Sequence, residues 1–473
     1  MKSRSKAALC VLLMVIVLLG CVLNPEYQSR SSIMEDPGQF QSKATIVPVV
    51  NEMQANTYTT SAQDEPSVSA LTADTFVVAW NSVGQDGDGW GVYAAVFSAT
   101  TGENLTPKFQ ANTYTTGGQY RAFVSALTAD TFVVAWRSDA QDGSGSGVYA
   151  TVFSATTGGN LTAEFRVNNH TPGSQDYPSI TPLTADTFAV AWHSDGQDGD
   201  GYGVFATVFN ATTGENLTAE FQVNTYTTNF QTRPSISALT ADTFAVAWTS
   251  YGQDGDGWGV YAAVFNATTG ENLTAEFRVN TYTASEQQYP SVSSLTADSF
   301  VVAWESMGQD GDGDGVYAAV FSATTGGILT PEFLVNTYTI DDQNEPSVSA
   351  LTADTFAVAW HSDGQDGDSL GVYAAVFSAT SGKILTPEFQ VNTYTANWQY
   401  MVSISALTAD TFAVAWTSYG QDGDGNGIFF RVLGSLLENP GLLLLLILLF
   451  PLIGLGIVVF IYYKRREEYL RQK

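Results

Sequence analysis

After Cys21 the 473-residue chain contains no cysteine, and Cys10 and Cys21 both sit in the apolar segment near the N-terminus. That excludes a disulfide framework, a thiolate metal site and a cysteine nucleophile from the rest of the chain. Histidine is nearly as scarce. His170, His193 and His361 lie in unlike or distant segments with no recurrent serine or aspartate partner, so a nucleophilic triad is not expected and hydrated surface positions are. Positive charge is the third shortage. Between Lys43 and Leu433 stand 41 Asp plus Glu against 8 Lys plus Arg, a difference of -33 within a chain of net charge -29. Such a surface repels phosphate backbones and anionic headgroups, which argues against nucleic acid as a partner and leaves divalent cations or basic surfaces.

What the chain does have is 44% hydrophobic residues, 12% aromatic residues and 43 glycines, which suits many short buried strands joined by glycine turns. Its start reads as a secretory signal: basic residues from Lys2 to Lys6, then an apolar run from Ala7 to Leu23. Leu18-Leu19-Gly20-Cys21 also resembles a lipobox that would acylate Cys21, with a cleaved signal preferred and an uncleaved anchor third. At the other end Gly441 to Tyr463 is an uninterrupted apolar stretch followed by Lys464-Arg465-Arg466. Its length suits one membrane-spanning helix, and the basic flank places the C-terminus in the cytoplasm. The expected domains are a signal at 1–23, a linker at 24–43, an ectodomain at 44–432, a short stalk at 433–440, the span at 441–463 and a tail at 464–473. The chain is therefore expected to be a single-pass plasma-membrane protein, monomeric, with its ectodomain outside.

The ectodomain is repetitive. Seven tryptophans, Trp80, Trp136, Trp192, Trp248, Trp304, Trp360 and Trp416, recur at intervals of 56 without one insertion or deletion. In the first unit Pro66 to Leu71, Thr75 to Asn81, Val92 to Ser98 and Leu105 to Tyr114 read as four strands separated by turns. "TFVVAW" and "VYAAVF" are apolar at every position, so both faces of each sheet are covered. Four strands per unit and seven units predict an all-β, seven-bladed β-propeller. The seventh unit lacks its fourth strand at the C-terminus, whereas Val50 to Tyr58 carries the matching "NTY" at the N-terminus. That segment is expected to complete the last blade and close the ring.

Units of the form V-N-T-Y-T, P-S-V, F-V-V-A-W and G-Q-D-G-D-G resemble repeats of large surface and secreted proteins of bacteria and some protists, and are similar to the FG-GAP propellers of integrin-like proteins. The resemblance implies surface location and binding more than chemistry.

Within "GQDGDG" the first aspartate recurs at Asp86, Asp142, Asp198, Asp254, Asp310, Asp366 and Asp422. The second recurs at Asp88, Asp200, Asp256, Asp312, Asp368 and Asp424, with Ser144 in the second unit and an additional Asp314 in the fifth. Alternating carboxylates and glycines can converge on calcium. The twelfth position of an EF-hand loop is Phe321 and the ninth position of an FG-GAP loop is Ala318, so the first is excluded and the second is incomplete. Asp-Gly is equally the chemistry of a hairpin turn, and both readings stay open. Ser82-Val83-Gly84-Gln85 does not fit a sialidase Asp-box. Arg121, Arg137, Arg166, Arg233 and Arg278 look scattered, and paired acids are too frequent to mark a glycosidase site.

The second-to-third hairpins and the fourth-to-first connections share one face. The connections vary around a constant glutamine at Gln63, Gln119, Gln175, Gln231, Gln287, Gln343 and Gln399, which reads as a bond to backbone. Around it stand Tyr120, Arg121, Tyr177, Phe230, Tyr289, Trp398 and Tyr400, and the hairpins add Trp90, Tyr202, Tyr251, Trp258 and Tyr419. Exposed aromatics among acids suit a protein or glycan ligand. Sequons stand at Asn104, Asn160, Asn169, Asn210, Asn216, Asn266 and Asn272. The expected function is adhesion or recognition by this outward face, without enzymatic activity. An extracellular glycan-processing enzyme with its site at the mouth of the central channel is the alternative, and a purely structural coat the third.

Overall fold

In the computed structural model, which describes residues 45–436, each 56-residue unit is a four-stranded antiparallel sheet, and there are seven. Blade one runs Gln63–Ala70, Thr75–Val83, Trp90–Ser98 and Phe109–Gln110 from the centre outward. The inner strands of successive blades touch all the way round, and blade one meets blade seven. The expected seven-bladed propeller is therefore present.

Alternation along the strands explains how the blades stack. Phe76, Val78 and Trp80 face one way and Val77 and Ala79 the other. Each inter-blade core joins the small face of one blade to the aromatic face of the next: Val77, Ala79, Val92, Ala94 and Val96 pack on Phe132, Val134, Trp136 and Phe153. Small residues opposite large ones let the layers interdigitate at native density, and all seven repeat tryptophans are at most 1% exposed.

Inner strands have one free edge, which a propeller must satisfy. Here serines do it. Val124 N donates to Ser67 Oγ at 3.1 Å and Ala126 N to Ser69 Oγ at 3.0 Å, and the same two rungs recur between other blades. Val68 N and Ala70 N donate to Ser403 and Ser405 at the closure. The junction of blades two and three departs from this pattern, because Phe123 replaces the first serine and Pro182 removes the second N–H.

Closure by an N-terminal strand follows the sequence expectation, but the strand is Thr45–Gln54 rather than Val50 to Tyr58. Thr45–Gln54 pairs antiparallel with Asn426–Leu436, Val50 lies opposite Val432, and Ala55 N donates to Ile428 O at 2.7 Å. Two substitutions compensate each other there. Met53 stands where the other outer strands carry a phenylalanine such as Phe109, and Phe430 stands where blade one has Ala94. Phe430 fills the space, 5.2 Å from the Phe76 ring and 4.8 Å from that of Phe97.

Two expected boundaries shift. The last strand continues past residue 432 to Leu436, so the first part of the expected stalk belongs to the sheet. The outer strand of blade one is only Phe109–Gln110 rather than Leu105 to Tyr114, whereas blades five and six have Ile328–Leu334 and Ile384–Gln390. Those two carry β-branched Ile328 and Ile384 where blade one has Asn104, which explains the longer pairing. The signal, lipobox, apolar span and tail lie outside the described residues. Among the described residues no helix is long and apolar enough to cross a membrane.

Candidate functional site at the channel mouth

All seven inner strands slip register just after their constant glutamine, between Asp64 and Ser67 in blade one and at the equivalent places elsewhere. The residue at the bulge has a left-handed backbone in every blade, with φ from 48° to 56°: Glu65, Arg121, Tyr177, Arg233, Tyr289, Glu345 and Met401. None is glycine, and such backbone is uncommon for other residues. Strain of this kind is often kept where side chains must be aimed. These seven side chains line a central cavity of about 450 Å³, within the size range of small-ligand sites.

The ring has two unlike halves. Blades two to five form a cation–aromatic wall, with the Arg121 guanidinium 3.7 Å from the centre of the Tyr177 ring and that of Arg233 3.8 Å from the centre of Tyr289. Such contacts hold an arginine flat while leaving its edges available. Arg121 and Arg137 share the buried Asp176, Arg137 at 2.6 Å, and Arg137 also grips Asp139. This ion triad spans the junction of blades two and three that lacks serine rungs. Blades six, seven and one form the other half, with Glu345, Met401 and Glu65.

A second layer, one residue after each repeat tryptophan, supports the ring. Asn81 Nδ2 donates to Glu65 Oε2 at 2.8 Å, Arg233 N donates to His193 Nδ1 at 3.3 Å, and Glu345 N donates to Glu305 Oε2 at 3.2 Å. Burial pushes the Glu305 carboxyl up to about 8. Glu345 rises to about 7 through burial, opposed by the charge of Arg233. Asp64 rises to about 7 through burial and the neighbouring Glu65, and Glu65 itself is raised by burial against the pull of Arg121. Burial lowers His193 to about 4, so it is neutral, with Nδ1 as its bare nitrogen. Glu345 on this acid wall, with Glu305 and Asp64 beside it, thus holds its proton nearer to neutral pH than a free carboxyl group does.

Glu305 links this site to stability. Between its ordinary value of 4.5 and about 8 the folded protein keeps a proton that the unfolded chain releases, so stability falls as pH rises through that window. Glu345 and Asp64 act with the same sign up to about 7. Glu305→Gln should flatten this dependence and raise the melting midpoint at pH 8, on the order of a few degrees, with little change at pH 4.5. Parallel melting curves for variant and wild type across the range would refute it.

Of the aromatic residues expected on this face, Tyr177 and Tyr289 are part of the ring and Tyr120 and Tyr400 stand one residue before ring positions, all four half-buried. Tyr400 accepts a hydrogen bond from Asn426. Others form a chain of ring contacts that runs from the ring through the buried His193. The Tyr177 ring lies 5.2 Å from that of His193, His193 4.7 Å from Tyr202, Tyr202 5.9 Å from Phe230, Phe230 6.4 Å from Trp258 and Trp258 5.1 Å from Tyr251. Trp398 and Tyr419 form a separate exposed pair, and Trp90 is half-buried.

The aspartate hairpins have a mechanical role. Asp86 Oδ1 accepts from Asp88 N at 3.3 Å, and its other oxygen lies 3.4 Å from Asn112 Nδ2. A Cβ on Gly91 would fall 2.6 Å from that oxygen, which is why glycine recurs there. The second aspartate pins the following connection at a residue with positive φ: Asp88 accepts from Gly117 N, Asp200 from Asn229 N and Asp424 from Ser61 N. Asp256, Asp312 and Asp368 do likewise with Ser285, Asp341 and Asn397. Asp314 instead lies beside Asp342 and Glu286, and burial raises it to about 6. Among the described residues no three His, Cys, Asp or Glu side chains gather as metal ligands. The constant glutamine binds backbone as expected, Gln63 Nε2 donating to Thr60 O and Ser61 O.

Three expectations need correction. Arg121, Arg137 and Arg233 are not scattered: Arg121 and Arg233 stand at the same repeat position, which returns to the same height on a ring, and Arg137 joins Arg121 through Asp176; Arg166 and Arg278 lie on outer strands. His193 and His361 are buried rather than hydrated. Glu65, Asp176, Glu305 and Glu345 were missed. Their signal was present as fixed repeat positions at which otherwise near-identical units diverge.

Fold and site together define a closed seven-bladed β-propeller with a charged, aromatic site at one mouth of its channel. Neither a protein-family model nor a curated protein matches the chain. Among solved structures it is similar to a protein of unknown function from Dyadobacter fermentans, at 11% identity and TM-score 0.48 over 83% of this chain and 99% of that one. It is also similar to the β-propeller domain of the Trilobed protease from Pyrococcus furiosus, at 6% and 0.45 over 79% and 94%. A third is the GH93 alpha-L-arabinofuranosidase of Fusarium graminearum, at 10% and 0.45 over 83% and 98%. At these identities and TM-scores no activity is carried over from them.

Proposed function

We propose that the protein is an extracellular glycan-processing enzyme working at the channel mouth. Glycoside cleavage needs a proton delivered to the leaving oxygen and a second carboxyl group for the attacking face. Glu345 is the proton donor in this reading, backed by Glu305, and Glu65 is the second carboxyl. The observation that carries it is a single cavity lined by Glu345 and Glu65 on one part of the ring and by stacked tyrosine–arginine pairs on the other, both built at positions where the repeats diverge. Raised carboxyl groups are suited to give up a proton near neutral pH, and the line from Tyr177 to Tyr251 offers flat faces for a sugar chain. Incubation of the full-length protein with a panel of oligosaccharides, read by release of new reducing ends, tests the reading. Release is the expected result, and binding without release would overturn it.

That second outcome belongs to the adhesion reading, which the exposed Phe230, Tyr251, Trp398 and Tyr419 favour, at 43%, 40%, 52% and 44% exposure. In either reading we place the protein in the plasma membrane as a monomer, held by Gly441 to Tyr463, with the channel mouth turned outward and glycans on its sequons. Calcium is a separate proposal as a stabiliser of the aspartate hairpins. It predicts a melting midpoint that rises by several degrees with calcium, and an unmoved midpoint with chelator leaves the aspartates as hairpin braces alone.

A further inference from the structure

The described propeller is strongly acidic, yet two of its few basic residues, Arg121 and Arg233, line one wall of one cavity, and Arg137 is joined to Arg121 through Asp176. Their situations differ. Arg121 and Arg137 are tied to Asp176, and Arg137 to Asp139 as well. Arg233 forms no ion pair among the described residues. Its guanidinium bonds Gln288 Oε1 at 2.8 Å and lies on the Tyr289 ring at 3.8 Å, with the Tyr177 ring 5.7 Å away on the other side. Its backbone is held in the left-handed region, with its N–H on His193 Nδ1. A cation lodged between two aromatic faces, positioned through its backbone and lacking a carboxylate partner, is prepared for an anion that arrives from the channel. Planar guanidinium edges match a carboxylate in a two-pronged bond.

We propose that Arg233, between Tyr177 and Tyr289, is the subsite for a sugar carboxylate, so that the glycan recognised at the channel mouth is a uronic-acid saccharide. The inference rests on the glycan reading of this site but not on turnover. Glu345 and Glu65 belong to the other half of the ring, with Glu345 near enough to feel the charge of Arg233, so the same sugar can present its carboxylate to Arg233 and a glycosidic oxygen to the acid wall. The surrounding negative surface makes this selectivity local. A polyanion is repelled from the rest of the molecule, and a short uronide can seat its charge at one place.

The test uses galacturonic and glucuronic oligosaccharides of three residues, each paired with its methyl ester, which keeps the sugar and removes the charge. Calorimetric binding to the full-length wild-type protein should favour one acid over its ester by tenfold or more, and the preference should shrink with added salt. Arg233→Ala should abolish the preference, and Arg233→Lys should retain part of it. Equal binding of acid and ester, binding of neither acid, or equal weakening of both by Arg233→Ala would overturn the proposal. Release of neutral sugars without uronide binding would leave the enzyme reading standing and remove this one. Uronide binding without release would do the reverse. The acid–ester comparison is made on wild type, so it stands even if a variant folds poorly.

Discussion

A chain lacking Thr45–Gln54 should lose more stability than any single substitution removes, with its melting midpoint falling by about 10 °C or more or the protein aggregating. The strand supplies the outer edge of blade seven and buries Val50 in the closure core with Phe430 and Val432, with half-buried Met53 packed against it. Each fully buried side chain of that size contributes about 1.5–3 kcal/mol. Its Glu52 also accepts from Gln421 Nε2 at 2.6 Å and from Thr393 N, tying the closing strand to the blade-seven hairpin and to the connection before it. Without the strand Asn426–Leu436 becomes a bare edge, which invites pairing with other chains. A synthetic peptide of residues 45–54 should restore part of the lost midpoint in trans. A truncated protein that melts like the full chain would show that the ring does not depend on this strand.

Glu345→Gln should lower glycan turnover by about 10²–10⁴-fold while leaving glycan binding nearly unchanged. The amide keeps the size and hydrogen-bonding shape of the carboxyl but has no proton to give. In wild type the proton is held up to about pH 7, so turnover should fall as pH rises beyond that point, where Glu345 ionises. The variant should lose that limb of the profile. Measured kcat and KM with one cleaved oligosaccharide across pH 5–9 check both parts. A variant with wild-type turnover, or one whose residual activity keeps the same alkaline limb, would remove Glu345 as the acid.

Architecture was legible because propeller physics is written in local pattern. An invariant 56-residue spacing of buried tryptophans, apolar runs with no polar face and a half-blade at each end leave few arrangements in which every sheet is covered. Ends of elements were less legible. The difference between Asn104 and Ile328 changes an outer strand by several residues, and it registers only when the pairing with the third strand is seen. The face carrying Tyr177, Tyr289 and Arg121 was anticipated from the variable connections. Its chemistry was not, because Arg121 and Arg137 come from one unit, Asp176 from the next and Arg233 from a third, and His193, Glu305 and Asn81 sit on the neighbouring strand of their blades.

By itself the sequence determined the blade count, closure of the last blade by an N-terminal strand and the bonding role of Gln63 and its counterparts, since each follows from repetition and from polar groups that must be paired. Tertiary structure alone decided that residues at one bulge meet across a channel, that Glu305 and Glu345 keep their protons there, and that Arg233 is left without a carboxylate. The physical reason is that periodicity encodes which layer and height a residue occupies, whereas desolvation and charge pairing depend on neighbours brought in from other blades.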